Sequence, residues 1–339
     1  MRTPIATDIT RHEPVPCHPG PVPALPLVAL FGPTGVGKTE VAVELAELLR
    51  AEGEDPVAVS ADALQLYAGL ETLTGAATER ERARLEHRLL GVLPLTARAT
   101  AGDFARRAHA EIDGLIAEGR RPIVVGGTGL YLRAALAELD LRPPPDPESR
   151  ERYAKRLADE GVRALHADLL ERDPASAAAI ARTDAQRVKR ALELLDAGAE
   201  PPGGPQLWTS ETRHPTLLVA LVMERAALYR RIDARVEQMV AAGAAGEVRR
   251  ADAAGASPSA RQALGFDELL RGDVEAMQRR TRRYAKRQLT WLRKLPGTLA
   301  IDVTGREAPS VAREVRSALR AAAGSSSGPQ RENGPTSAR

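Results

Sequence analysis

The sequence predicts an α/β fold: a P-loop-type parallel sheet core flanked by helices, with a helical insertion and a mostly helical C-terminal region. Three observations carry this. Short apolar runs without strict alternation recur at 26–31, 56–60, 122–125, 216–223 and 299–303, the pattern of strands covered on both faces. Charged segments of helical spacing separate them. The first run leads directly into Gly32-Pro-Thr-Gly-Val-Gly-Lys-Thr39, a complete G-x-x-x-x-G-K-[ST] phosphate loop, which requires a strand before it and a helix after it.

Residues 1–24 carry six prolines among charges and bury too little apolar surface to fold, so a disordered tail is expected there. The first part of the core spans 25–142. After the loop, Val41, Leu45 and Leu48 stand at helical spacing between charges. The second strand ends at Asp62. An amphipathic helix is expected over 106–118, and the third strand closes on Gly126-Gly-Thr-Gly129. Residues 143–205 open with Pro143-Pro-Pro145, close with Pro201-Pro-Gly-Gly-Pro205, and read between these as a helical insertion. The chain then returns to the core over 206–321, with basic helices. A second disordered tail is expected over 322–339, rich in Ser, Gly and Pro.

Composition excludes several classes. The 339 residues are 43% hydrophobic, with a net charge of +3, so the chain is neither a polycation nor disordered throughout. No apolar run is long enough to cross a bilayer, and no signal-peptide pattern is present, so no membrane partner is expected. The single Cys17 allows neither an internal disulfide nor a metal cluster and fits the cytoplasm.

The loop dictates the first chemistry. Gly32, Pro33, Thr34, Gly35, Val36, Gly37, Lys38 and Thr39 would bring successive backbone N–H groups onto phosphate oxygens. The helix N-terminus adds positive potential, Lys38 a point charge and Thr39 a hydroxyl for Mg²⁺. In an open parallel sheet ligands sit beyond the carboxyl ends of the strands. Strand ends therefore bring Asp62 and Thr128 toward the loop. Two roles stand open for Asp62 on position alone: a helix N-cap, or a carboxylate that takes a proton or meets Mg²⁺ through water. Thr128 is likewise a cap or a site residue. Arg231 and Arg235 share a helical face, either as phosphate forks or as a solvated pair beside Asp233 and Glu237.

The stretch 279–294 holds eight Lys or Arg residues and no acid, with Tyr284, Leu289 and Trp291 interleaved. Such a helix attracts a phosphate backbone and offers stacking faces. Arg182 and Gln186-Arg-Val-Lys-Arg190 form a second, smaller basic set in the insertion.

These segments together resemble the tRNA dimethylallyltransferases. The likeness rests on the loop, Asp62-Ala-Leu-Gln-Leu-Tyr67, His87-Arg-Leu-Leu90, Asp103-Phe104, Val125-Gly-Gly-Thr-Gly-Leu-Tyr-Leu132, Asp184 to Arg190, Leu264-Gly-Phe266 and Thr281 to Arg293. It implies transfer of a dimethylallyl group from dimethylallyl diphosphate to the exocyclic amine of adenosine at position 37 of tRNA. The loop would hold the donor's diphosphate, without ATP hydrolysis. Asp62, Lys38, Thr39 and Arg235 are the implied catalytic set. Contact with tRNA is implied for Asp62, Ala63, Leu64, Gln65, Thr128, Arg150, Gln186, Arg187, Val188, Lys189, Arg190, Arg261, Gly265, Phe266, Lys286, Arg287, Gln288, Trp291 and Arg293. The resemblance further implies Mg²⁺ and a monomer.

The chain departs from the family pattern at Ala63, where Ser is usual, across Leu73-Thr-Gly-Ala-Ala77, at Phe266 in place of Tyr, and just before Asp103. Two other enzymes share part of this pattern: a P-loop small-molecule kinase shares the loop and Asp62, and an adenylate isopentenyltransferase shares the front half. Neither gives the basic stretch 279–294 a purpose.

Overall fold

The computed structural model describes residues 26–142, 145–199, 207 and 209–325. In chain order the core begins with β1 (Leu27–Phe31), α1 (Lys38–Arg50), β2 (Pro56–Ala61), α2 (Glu71–Thr74), α3 (Glu79–Arg84) and β3 (His87–Arg88). It continues with α4 (Ala101–Ala117), β4 (Arg121–Gly126) and α5 (Gly129–Leu136). The insertion contributes α6 (Pro147–Arg172), α7 (Pro174–Ala179) and α8 (Ala185–Asp196). After it come β5 (Thr216–Val222), α9 (Arg225–Ala241), α10 (Ala244–Ala253), α11 (Phe266–Leu270), α12 (Val274–Leu292), β6 (Leu299–Asp302) and α13 (Ala308–Ser325).

The six strands are parallel, in the order β3-β2-β4-β1-β5-β6. The five strands expected from the apolar runs each form within a residue or so of their expected ends. β3 has only two residues, too short for any periodicity to reveal. The central strand β1 is fully buried, with Val28 and Leu30 in one apolar cluster and Leu27, Ala29 and Phe31 in the other. The first cluster packs α1 and α13 on one face of the sheet; the second packs α4 and α5 on the opposite face.

Two boundaries differ from expectation. α4 starts at Ala101, ahead of 106, because Thr100 and Asp103 form a reciprocal capping box at its N-terminus. The C-terminal tail does not begin at 322: α13 runs to Ser325. Its apolar stripe of Val311, Ala312, Val315 and Leu319 packs into the cluster that holds α1. The rest of that tail, 326–339, and the N-terminal tail 1–24 lie outside the described residues.

The insertion has its own small core of Tyr153, Leu165, Leu169, Val188 and Leu192. Within α6, Gly161 (φ 78°, ψ 165°) breaks the helix. A third cluster links Tyr67, Leu70 and Leu73 to α9, α10, α11 and α12, so the helical C-terminal region is packed against the β2 end of the sheet. Among the described residues, no helix is long and apolar enough to cross a membrane.

Candidate active site

A cleft of about 530 Å³ opens above the carboxyl ends of β1, β2 and β4, within the size range of small-molecule sites. The phosphate loop forms one wall. Gly35 and Gly37 take φ of 81° and 100°, which turn the backbone toward the cleft and which only glycine adopts without strain. α1 begins at Lys38, so the free amides of its first turn face the same space. The Val36 side chain points the other way, 2% exposed in the sheet core, so only its backbone can serve a phosphate. Lys38 Nζ donates to the carbonyls of Gly32 (2.9 Å) and Pro33 (3.0 Å). Burial, with Arg235 nearby, lowers its pKa to about 8, against a smaller upward pull from Asp62.

Asp62 follows β2 and lines the same cleft. One carboxylate oxygen accepts the Leu64 N–H at 3.0 Å in a tight turn; no α-helix starts there, so the simple N-cap role does not apply. Burial raises its pKa, opposed by the Leu64 hydrogen bond and by Lys38. Gln65 braces this turn. Its Oε1 accepts from Ser60 Oγ (2.8 Å), and its Nε2 reaches the carbonyls of Thr74 (3.5 Å) and Gly75 (3.4 Å). Tyr67, 2% exposed, is packing. Thr128 makes no side-chain cap at the start of α5. Its hydroxyl lies 2.6 Å from the Tyr284 hydroxyl, and burial, with Asp62 nearby, pushes the Tyr284 phenol up to about 12.

The two arginines of α9 part company. Arg235 turns into the cleft and donates to the Gly75 carbonyl at 3.0 Å. Burial lowers its pKa from the ordinary value, and as a guanidinium it stays charged. A Cβ on Gly75 would collide with the Arg235 guanidinium, so this glycine makes room for the arginine. The segment that departs from the family pattern is thus a wall of the cleft. It is fixed by Glu247 of α10, whose carboxylate accepts the Thr72 and Leu73 N–H groups at 2.9 Å each. Arg231 stays half-exposed, 3.5 Å from Glu40 at the loop's mouth. Asp233 pairs with Arg282 instead of the α9 arginines, at 2.6 and 2.7 Å.

Among the described residues, no group of three His, Cys, Asp or Glu could hold a metal alone. Thr39 and Asp62, the two residues expected to meet Mg²⁺, both line the cleft.

α12 roofs the cleft, contributing Met277, Thr281, Tyr284 and Gln288. Its charge is less one-sided than the stretch itself suggests, because carboxylates of two other helices and of its own first turn pair with it. Arg280 pairs with Glu268 (2.9 Å), Arg282 with Asp233, and Arg279 with Glu275 (3.2 Å). Arg283, Lys286, Arg287 and Arg293 are exposed and form no ion pair among the described residues. In the insertion, Arg150, Gln186 and Arg187 are exposed, while Lys189 and Arg190 lean toward the buried Glu193 (3.8 and 3.7 Å).

Several side chains expected to touch nucleic acid point inward. Val188 is 0% exposed in the insertion core, and Phe266 is 0% exposed beneath the Arg261 guanidinium. An apolar side chain in a helix faces whichever core its stripe meets, and these two meet one. Ala63, Gly265 and Gln288 are buried as well. Arg261 is paired with Asp252, and Trp291 packs against the sheet cluster beside Gly129. The Arg235–Gly75 bond joins residues 160 positions apart, and the Glu247 brace spans 174 and 175 positions; no local signal announces either.

Residues 65–295 match the IPP transferase family, more than half of the chain. The chain is 42% identical over 286 residues to a tRNA dimethylallyltransferase of Kineococcus radiotolerans, covering 81% of this chain and 90% of the relative. With one from Thermobifida fusca it shares 41% over 284 residues, covering 80% and 88%. Among solved structures it resembles a tRNA isopentenylpyrophosphate transferase from Bacillus halodurans, with a TM-score of 0.65 and 31% identity over 89% of this chain and 98% of the other. A eukaryotic dimethylallyltransferase acting on tRNA shares the fold, with a TM-score of 0.70 at 23% identity over 91% of this chain and 81% of that one.

Proposed function

The chain belongs to the IPP transferase family, and from that membership we propose that it acts as a tRNA dimethylallyltransferase. It moves a dimethylallyl group from dimethylallyl diphosphate to the exocyclic amine of the tRNA adenosine at position 37 and releases diphosphate. One observation carries the reading at the level of residues: a single cleft holds the phosphate loop, Asp62 and Arg235 under a helix whose outer face bears exposed cations.

In this reaction the allylic C–O bond breaks, the new N–C bond forms, and the amine loses a proton. Asp62, raised in pKa by burial, is the acceptor for that proton and aims the amine. Negative charge gathers on the departing diphosphate. The loop amides, Lys38 and Arg235 stabilise it in a site of low dielectric. Mg²⁺, when bound with the diphosphate, supplies further charge neutralisation there. Holding both substrates in one cleft supplies the entropic part of the rate. An unpaired nucleotide in a loop costs little to swing out. We further take the enzyme to be a cytoplasmic monomer.

Labelled dimethylallyl diphosphate, Mg²⁺ and bulk unmodified tRNA are expected to yield a prenylated adenosine. Label on free adenylate only, or γ-phosphate transfer from ATP, would overturn the reading. The outer face of α12 gives a second expectation. Replacing Arg283 and Arg287 by Glu weakens tRNA binding at low salt and flattens its salt dependence, by roughly 0.7–0.9 in the log–log slope for each phosphate the helix no longer neutralises. Binding titrations at several salt concentrations check this, and unchanged affinity throughout would count against it.

A further inference from the structure

The most buried polar side chain of the basic helix is an amide. Gln288 is 4% exposed. Its Oε1 accepts the Thr34 N–H of the phosphate loop at 2.9 Å, and its Nε2 donates to the Gly127 carbonyl beyond β4 at 2.6 Å. Both ends of the amide are therefore engaged within the protein, one hydrogen bond at each, which fixes the side chain between the phosphate loop and the segment after β4.

Gln288 does not act alone on that face. Tyr284, Gln288 and Trp291 stand at i, i+4 and i+7, one stripe of α12. Each meets the segment just after β4. Tyr284 reaches Thr128, Gln288 reaches Gly127, and the Trp291 ring lies so close against Gly129 that a Cβ there would collide with it. Of the three, Gln288 also reaches the phosphate loop. Outside this stripe the same helix carries the exposed Arg283, Lys286 and Arg287, with Arg293 at its C-cap. Arg287 folds its guanidinium over the Tyr284 ring, 5.4 Å from the centroid, so the outer cations begin where the inner stripe ends. A helix is a stiff rod about 10 Å across, and a shift imposed on one face is carried to the other.

We propose that Gln288 is a positioning residue that couples the two substrate sites. Phosphates of tRNA drawn to the outer face of α12 set the helix, and the Gln288 amide transmits that setting to the mouth of the phosphate loop at Thr34. Because Gln288 occupies the Thr34 N–H, the diphosphate relies on the amides that follow it in the loop. The coupling is reciprocal: whatever tRNA does to donor affinity, the donor does to tRNA affinity. This inference rests on the tRNA and prenyl-donor reading above.

The test measures the dissociation constant of inorganic diphosphate with Mg²⁺, with and without saturating unmodified tRNA. It compares the natural chain with Gln288→Ala and with Gln288→Met, which fills the same space without hydrogen bonds and serves if the alanine variant does not fold. In the natural chain tRNA is expected to tighten diphosphate by about 5-fold or more. In the variants that ratio is expected to fall to about 1 while tRNA affinity alone stays within about twofold. A ratio unchanged by either substitution overturns the coupling. So does a large loss of tRNA affinity with the ratio intact, which would mark Gln288 as a direct contact. If the natural chain binds both ligands without coupling, this inference fails and the functional reading stands. If it binds neither, the functional reading fails first and takes the inference with it.

Discussion

Asp62→Asn is expected to lower single-turnover prenyl transfer by about two to four orders of magnitude, the usual cost of removing acid–base help. Asparagine keeps the shape of the side chain and an oxygen for the Leu64 N–H, so the turn after β2 survives. Binding of tRNA and of diphosphate is expected to change little. The pH dependence carries the diagnosis. Burial raises the Asp62 pKa, so its carboxylate takes up a proton at a higher pH than an ordinary aspartate. The natural rate should fall as pH drops through that raised value, and the variant should lack this limb. Stability moves the opposite way. A carboxyl with a raised folded-state pKa contributes most below its unfolded value and loses that contribution as pH rises through its folded one. At neutral pH the Asp62 charge therefore works against folding, and the variant should melt no lower than the natural chain. A rate within tenfold of normal would remove Asp62 from the mechanism.

Lys38→Met is the second large effect. It deletes the flexible cation seated in the loop, and transfer should fall by about two to three orders of magnitude, as when one preorganised charge stabiliser is removed. In the free protein the lysine has a pKa of about 8, because burial and Arg235 outweigh the pull of Asp62. A bound diphosphate brings negative charge and restores the ammonium. Around pH 8 binding should therefore take up protons, and affinity should weaken as pH rises past that point. Diphosphate titrates too, so the comparison that decides is natural chain against variant. Calorimetry in buffers of different ionisation heat should show extra proton uptake in the natural chain only. The same pH profile for both chains would argue that Lys38 stays charged throughout, or does not meet the ligand.

Both effects concern residues readable in the chain because their signals are local. The phosphate loop is eight consecutive residues, with its strand and helix on either side. Asp62 and Thr128 follow apolar runs, and strand ends in a parallel sheet share one edge. The capping box at Thr100 is an equally local signal, one that the expected start at 106, resting on the amphipathic stripe alone, passes over. The basic stretch is legible as a stretch, but its net field is not. Glu268 and Asp233, which neutralise Arg280 and Arg282, belong to other helices. Phe266 and Val188 are readable as motif members, yet which way each faces depends on the core its helix meets.

The sequence alone determined the class of fold, the five longer strands, the phosphate loop and the family, since covalent neighbours and their spacing encode all of these. Only the tertiary structure decided how distant segments serve one cleft: Arg235 held at Gly75, Glu247 bracing the wall, and Gln288 joining the basic helix to the loop. Those contacts form because the strand order brings remote segments within hydrogen-bonding distance, and a lone buried amide or carboxylate has no periodicity that would announce its partner.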